Sequence, residues 1–208
     1  MLRIVFVVFF FVGALLCASA GAARAAAPEE AATAVKKGND RFRELISRKV
    51  PKGSDEERKL AQQLTADMRA LFDIKDLSRR ALIDHWDKLT PAQRDELVRA
   101  MQGLIERSYL KQLRSNLAYQ VDYVGEEAKQ DDVIVRTVIH AEANGRPVTT
   151  RVDYVVHPDG GSWRVFDVIT DDVGMIRNYR SQFNRIIAKE GVDGLLAKMK
   201  KKMAEEGD

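Results

Sequence analysis

The sequence predicts an α+β domain: helices first, then a curved four-stranded antiparallel sheet, then helices, an arrangement that often encloses an apolar cavity. Three observations predict it. Up to about Leu113, apolar residues recur at helical spacing. From Tyr119 the period drops to two, and short turn sequences separate the apolar runs. Connections that short make the strands an antiparallel meander. The last strand, Ser162–Ile169, then carries apolar residues in both phases: Trp163, Val165 and Ile169 in one, Phe166 and Val168 in the other. It leads into Ile176, Tyr179, Phe183, Ile186 and Ile187 at helical spacing. A strand buried on both faces that turns into an amphipathic helix implies a sheet with helices packed on it.

The chain has 208 residues, and the first 25 read as a secretory signal peptide. Arg3 is a short basic region, Ile4 to Leu16 is almost unbroken apolar sequence, and small residues follow from Ala18 to Ala27 with Ala23-Arg24-Ala25 as the cleavage pattern. The apolar run falls short of the ~20 residues of a transmembrane helix; an uncleaved anchor is the alternative. Cys17 is the single cysteine, and Leu16 before it is not the small residue a lipid-acceptor site wants. The mature chain is then free of thiols and disulfides. Residues 26–208 read as one domain, long enough for a substantial core. Of 34 basic residues, Arg3 and Arg24 leave with the leader, and 32 remain against 31 acidic. A nucleic-acid-binding protein normally shows a basic stripe, and this near-even balance leads us to expect no nucleic-acid partner.

In chain order, Pro28 to Ser47 reads as a first helix, with Glu29 and Glu30 at the positive end of its dipole and Gly38-Asn39 weakening its middle. Val50-Pro51-Lys52-Gly53 is a linker. Ser54 with Glu57 forms a capping box for a helix from Asp55 to about Leu71. Asp73 caps a short third helix through Leu82, and His85-Trp86 sits in a bend. Thr90-Pro91-Ala92-Gln93 starts a helix to about Leu113, with Leu97, Met101, Leu104 and Ile105 as its stripe. Strands are expected at Tyr119–Gly125, Val133–Ala141, Val148–His157 and Ser162–Ile169. Asn144-Gly145 and Pro158-Asp159-Gly160-Gly161 are the turns between them. A helix from Asp172 to Lys189 follows, ended by Gly191, and Asp193 to Met203 forms a last basic helix.

No catalytic set emerges. His85, His140 and His157 do not share metal-ligand spacing, and no nucleophile elbow, phosphate-cradling loop or H-E-x-x-H is present. Asp167, Asp171 and Asp172 cluster ahead of Arg177 and Arg180. Two readings stand: the arginines recognise an anionic head group, or the acids cap the helix and form surface pairs. Trp86, Tyr109, Tyr123, Tyr154, Trp163, Phe166, Tyr179 and Phe183 lie on elements expected to face one another. They fill an ordinary core as readily as they line a ligand cavity. Lys198, Lys200, Lys201 and Lys202 form a basic end, either solvated or touching anionic lipid heads.

Taken in order, Phe72-Asp73, Leu82-x-x-x-Trp86, Leu89-Thr90-Pro91-Ala92-Gln93, Tyr109-Leu110-x-x-Leu113, Val152-Asp153-Tyr154, Trp163-Arg164-Val165-Phe166-Asp167-Val168, Asn178-Tyr179-Arg180-Ser181-Gln182-Phe183 and Gly191-Val192-Asp193-Gly194-Leu195 form a specific set. The chain resembles the MlaC family, periplasmic phospholipid-binding proteins also called toluene-tolerance auxiliary proteins, over about Pro28 to Lys202. Two positions depart from the family's usual pattern. Ile83 stands where Gly is usual, and Asp171-Asp172-Val173-Gly174 replaces Glu-Gly-Val-Ser after the last strand.

The resemblance implies an NTF2-like or cystatin-like fold and a monomeric periplasmic carrier. Such a carrier shuttles phospholipid between an inner-membrane ABC transporter complex with an MCE-domain ring and an outer-membrane lipoprotein–porin complex. That traffic maintains outer-membrane lipid asymmetry. It implies no catalysis and no cofactor beyond the lipid cargo. Strand phase and helix face put Leu104, Tyr123, Val152, Tyr154, Phe166, Val168, Ile176, Tyr179 and Phe183 around the acyl chains, with Arg177 and Arg180 as head-group candidates. Three rivals are a carrier of another lipid such as a hopanoid, a small cavity enzyme with Asp153 or Asp167 as base, and an envelope interaction protein with a solid core.

Overall fold

A computed structural model describes residues 27–115, 119–143 and 145–205. The expected signal peptide, with Cys17, and Asn144 of the first turn lie outside the described residues. Helix α1 spans Pro28–Ser47, α2 Asp55–Leu71, α3 Ile74–Ala81 and α4 Pro91–Ser115, with a single 3-10 turn at Trp86–Lys88. Strands β1 (Tyr119–Lys129), β2 (Asp132–Ala143), β3 (Arg146–Asp159), β4 (Ser162–Thr170) and β5 (Val173–Gly174) precede α5, Met175–Glu205. Among the described residues the strands form one antiparallel sheet in sequential order.

The helix starts follow their local chemistry. Ser54 Oγ accepts from the Glu57 amide at 3.1 Å, and Asp73 Oδ1 from the Asp76 amide at 2.9 Å. At α4, Gln93 N–H donates to Thr90 Oγ1 while Gln93 Oε1 accepts from Thr90 N–H, a reciprocal capping box. Gly38 does not interrupt α1. A Cβ there would meet Leu71 Cδ2 at 2.7 Å, so the missing side chain is what lets α1 lie against the end of α2.

The sheet has five strands where four were expected, and the cause is the Asp171-Asp172 corner. Both residues have positive φ, 46° and 67°. Two consecutive left-handed residues make the tight turn that matches strand twist, and Asp tolerates that conformation. Thr170 therefore pairs with Val173 and Ile169 with Gly174. Neither acid caps α5, which starts at Met175. That role falls to Asp167, whose Oδ1 accepts from the Ile176 amide at 3.0 Å. A Cβ on Gly174 would sit 3.2 Å from Asp167 Oδ2, so the glycine gives this carboxylate room.

The sheet bends at two irregularities, between Tyr123 and Gly125 in β1 and at Phe166 in β4, where Val156 pairs with Val165 and Val155 with Asp167. Phe72 bridges Val165 beyond the short β5, and the Asp73 amide donates to the Val165 carbonyl at 2.8 Å. The end of α2 thereby extends the sheet edge. One face of the sheet carries the core: Val133, Val135, Val156 and Val165 pack with Leu77, Leu97, Met101 and Leu195. Helix α5 kinks at Gly191 (φ 71°, ψ −178°), a conformation essentially confined to glycine. The kink turns Leu195, Leu196 and Met199 back into that core.

Candidate functional site

Beside this packed core, on the same face of the sheet, α1, α2 and the strands enclose a cavity of about 740 Å³. Pairing register explains its floor. Thr150 lies opposite Ile139, Val152 opposite Thr170, and Tyr154 opposite Val168, so these side chains share one face. All six line the cavity. Thr137 is fully buried and bonds the Val152 carbonyl at 2.6 Å. The roof comes from Phe42, Met68, Leu71 and Phe72, with Trp163 at one side. Tyr109 of α4 packs against that roof, its ring edge-on to Phe42 at 5.2 Å and tilted on Phe72 at 5.9 Å.

A polar belt interrupts the apolar wall. Asn39 of α1 lines the cavity and donates to Tyr123 Oη at 3.1 Å. Burial pushes the phenols of Tyr109 and Tyr119 up to about 12, raises Tyr123, and carries Tyr154 beyond the ordinary tyrosine range. All four stay protonated at neutral pH, and the hydroxyls of Tyr109, Tyr119 and Tyr154, which line the cavity, can donate to an ester or phosphate oxygen. Three charged residues complete the lining, Lys37, Arg41 and Asp67. Lys37 is exposed, and Arg41 Nε pairs with Asp67 Oδ2 at 3.1 Å with each side chain about two-fifths exposed, so these charges sit where the cavity meets solvent.

Of the expected lipid-facing residues, Val152, Tyr154 and Val168 line this cavity. Tyr123 stands behind it, bonded to Asn39. Leu104, Phe166, Ile176 and Phe183 lie in the main core, and Tyr179 stacks on Phe183 at 5.4 Å. The β4 bulge explains Phe166: its ring meets His157 at 5.2 Å and the Arg80 guanidinium at 4.0 Å. Arg180 donates to the Arg80 carbonyl at 2.6 Å, and Arg177 to the Asp172 carbonyl at 3.4 Å. Neither arginine lines the cavity.

Asp153 alternates with Val152 and Tyr154, so it faces the opposite side of the sheet, where Arg136 is its cross-strand partner. Burial raises the Asp167 carboxyl while the Ile176, Val168 and Met175 amides pull it back; it also lies outside the lining. Among the described residues no His, Cys, Asp and Glu cluster could hold a metal ion, and no helix is long and apolar enough to cross a membrane.

Sequence reasoning did not select Lys37, Asn39, Arg41, Phe42, Met68, Leu71 or Ile139. The signal for the first set was Ala34, Lys37, Gly38, Arg41 and Phe42, which recur at three and four residues along one face of α1. That face is too polar to read as buried.

Residues 36–201, more than half of the chain, match the MlaC protein family. The phospholipid-binding protein of Ralstonia solanacearum, solved in complex with a phospholipid, is 26% identical. It aligns with a TM-score of 0.71 over 86% of this chain and 99% of its own. The intermembrane phospholipid transport system binding protein MlaC of Haemophilus influenzae (strain ATCC 51907 / DSM 11121 / KW20 / Rd) is 22% identical over 142 residues, 67% of this chain. This chain spans 66% of that relative's length. The match spans most of the described residues, and the chain belongs to the MlaC family.

Proposed function

We propose that this protein is a phospholipid carrier of the periplasm. It takes acyl chains into the cavity between α1, α2 and the sheet, leaves the head group at the charged rim, and shuttles lipid between inner- and outer-membrane complexes. The observation that carries this reading is the cavity itself: about 740 Å³, floored by Val152, Tyr154 and Val168, in a member of a family with a phospholipid-bound relative. It lies within the roughly 300–1,000 Å³ of small-molecule sites.

The energetics favour a carrier that works with partners. Burying an acyl chain gains ~0.8 kcal/mol per methylene relative to water. The same chain in a bilayer is already buried, so exchange between membrane and cavity is nearly balanced. The cavity therefore prevents loss to water and exchanges lipid with a membrane in either direction, with little net bias. Loading and release fall to membrane complexes that favour one state of the carrier. An inner-membrane ABC transporter with an MCE-domain ring and an outer-membrane lipoprotein–porin complex are the partners we propose. Their traffic would maintain outer-membrane lipid asymmetry.

Native mass spectrometry of protein purified from a Gram-negative host, followed by lipid extraction, tests the reading. Near one phospholipid per protein is expected. A protein that is bare, and that also takes no lipid from vesicles, would refute it.

A further inference from the structure

We propose that Lys37, with Arg41 held beside it by Asp67, forms a subsite for the phosphodiester of a lipid whose acyl chains occupy the cavity. This rests on the carrier reading and extends it to head-group recognition. Lys37 and Arg41 stand one helical turn apart on α1, so their Cβ atoms are about 5–6 Å from each other. Two like charges at this spacing disfavour the helix unless something answers them. Arg41 is answered: Nε donates to Asp67 at 3.1 Å and Nη1 to Glu44 at 2.9 Å. Glu44 in turn pairs with Arg48 at 2.5 Å. Lys37 has no ion-pair partner among the described residues, and Arg41 Nη2 donates to no described group.

The cavity lining therefore presents one unanswered cation, Lys37, and one free guanidinium nitrogen, Nη2 of Arg41. A phosphodiester matches both, with one negative charge and two unesterified oxygens. Gly38, between the two cations, brings α1 against Leu71 and so places this turn directly over the apolar roof. Lipid chains that run past Leu71 and Phe72 leave their glycerol phosphate at Lys37. Asn39, Tyr109, Tyr119 and Tyr154 line the same cavity, where they would meet the ester groups.

The test uses the intact mature protein and vesicles containing equal phosphatidylglycerol and diacylglycerol, which share acyl chains and differ in the phosphodiester head. Lipid taken up is extracted and quantified by mass spectrometry. Wild type is expected to prefer phosphatidylglycerol. Lys37→Gln is expected to lower that preference about fivefold, the upper end for an exposed ion pair, and Lys37→Glu to lower it further. Total lipid load should persist, because the chains are held elsewhere. Unchanged preference in both variants overturns the subsite and leaves the carrier intact. Equal uptake of the two lipids by the wild type would likewise overturn the subsite and leave the carrier intact. Failure of wild type to take up either lipid overturns the carrier reading, and this proposal with it.

Discussion

Val168→Asp should turn lipid binding into a pH-dependent property. Val168 lies on the cavity floor opposite Tyr154 and is 9% exposed. In the empty protein an aspartate here can be wetted by cavity water. In the loaded protein it would face acyl chain, and an unpaired carboxylate in such surroundings protonates rather than stay charged. Protonating a carboxyl of pKa about 3.9 at pH 7 costs about 4 kcal/mol, at about 1.4 kcal/mol per unit. That weakens lipid binding about a thousandfold at neutral pH. The cost falls to about 1.5 kcal/mol at pH 5, so binding returns as the solution is acidified. Lost burial of the valine separately costs the fold up to about 3 kcal/mol, which thermal unfolding of the empty protein measures. Lipid load by native mass spectrometry at pH 7 and pH 5, with Val168→Asn as the pH-independent control, checks the prediction. A folded Val168→Asp protein with full load at pH 7, or loss of load that acid does not reverse, would show that chains do not pass over this strand.

Gly191→Ala should destabilise the protein by about 1–3 kcal/mol, because the kink's φ of 71° and ψ of −178° is open to glycine almost alone. An unchanged melting temperature would mean that α5 can reach the core without that kink. Asp167→Asn should be at least as stable as wild type at pH 7. Burial outweighs the amide bonds and holds the Asp167 carboxyl above the usual aspartate value. A raised carboxyl favours folding below its unfolded pKa of about 3.9 and loses that benefit as pH rises through the folded value. Asparagine keeps an oxygen for the Val168 and Ile176 amides without the charge. Urea denaturation should show the advantage of Asp167→Asn at pH 7 and its loss near pH 4; a variant markedly weaker at pH 7 would mean that the ionised carboxylate itself stabilises the cap.

Elements whose signals are local were legible from the residues around them. Ser54, Asp73 and Thr90 cap the helices they were expected to cap. The strands follow their period-two runs, and Val152, Tyr154 and Val168 reach the cavity because plain alternation carries them there. Phase failed at Phe166, because one extra residue in β4 breaks the count of two. It also failed at Asp171-Asp172, where a two-residue turn replaced a helix start and added β5. Helical period identified the apolar stripe of α5, but Ile176 and Phe183 serve the core rather than the cavity.

By itself the sequence determined the α+β class, the order of helices and strands, and the family signature, since caps, turns and periodicity act over a few neighbouring residues. Only the tertiary structure decided which of two apolar surfaces is packed and which is left hollow. That depends on how far helices stand from the sheet, here on the close approach of Gly38 to Leu71 and on a sheet bent at two bulges. Such spacing is a property of residues distant in the chain. For the same reason Lys37, Asn39 and Arg41, unremarkable on a polar helix face, became part of the cavity only when α1 was laid over the strands.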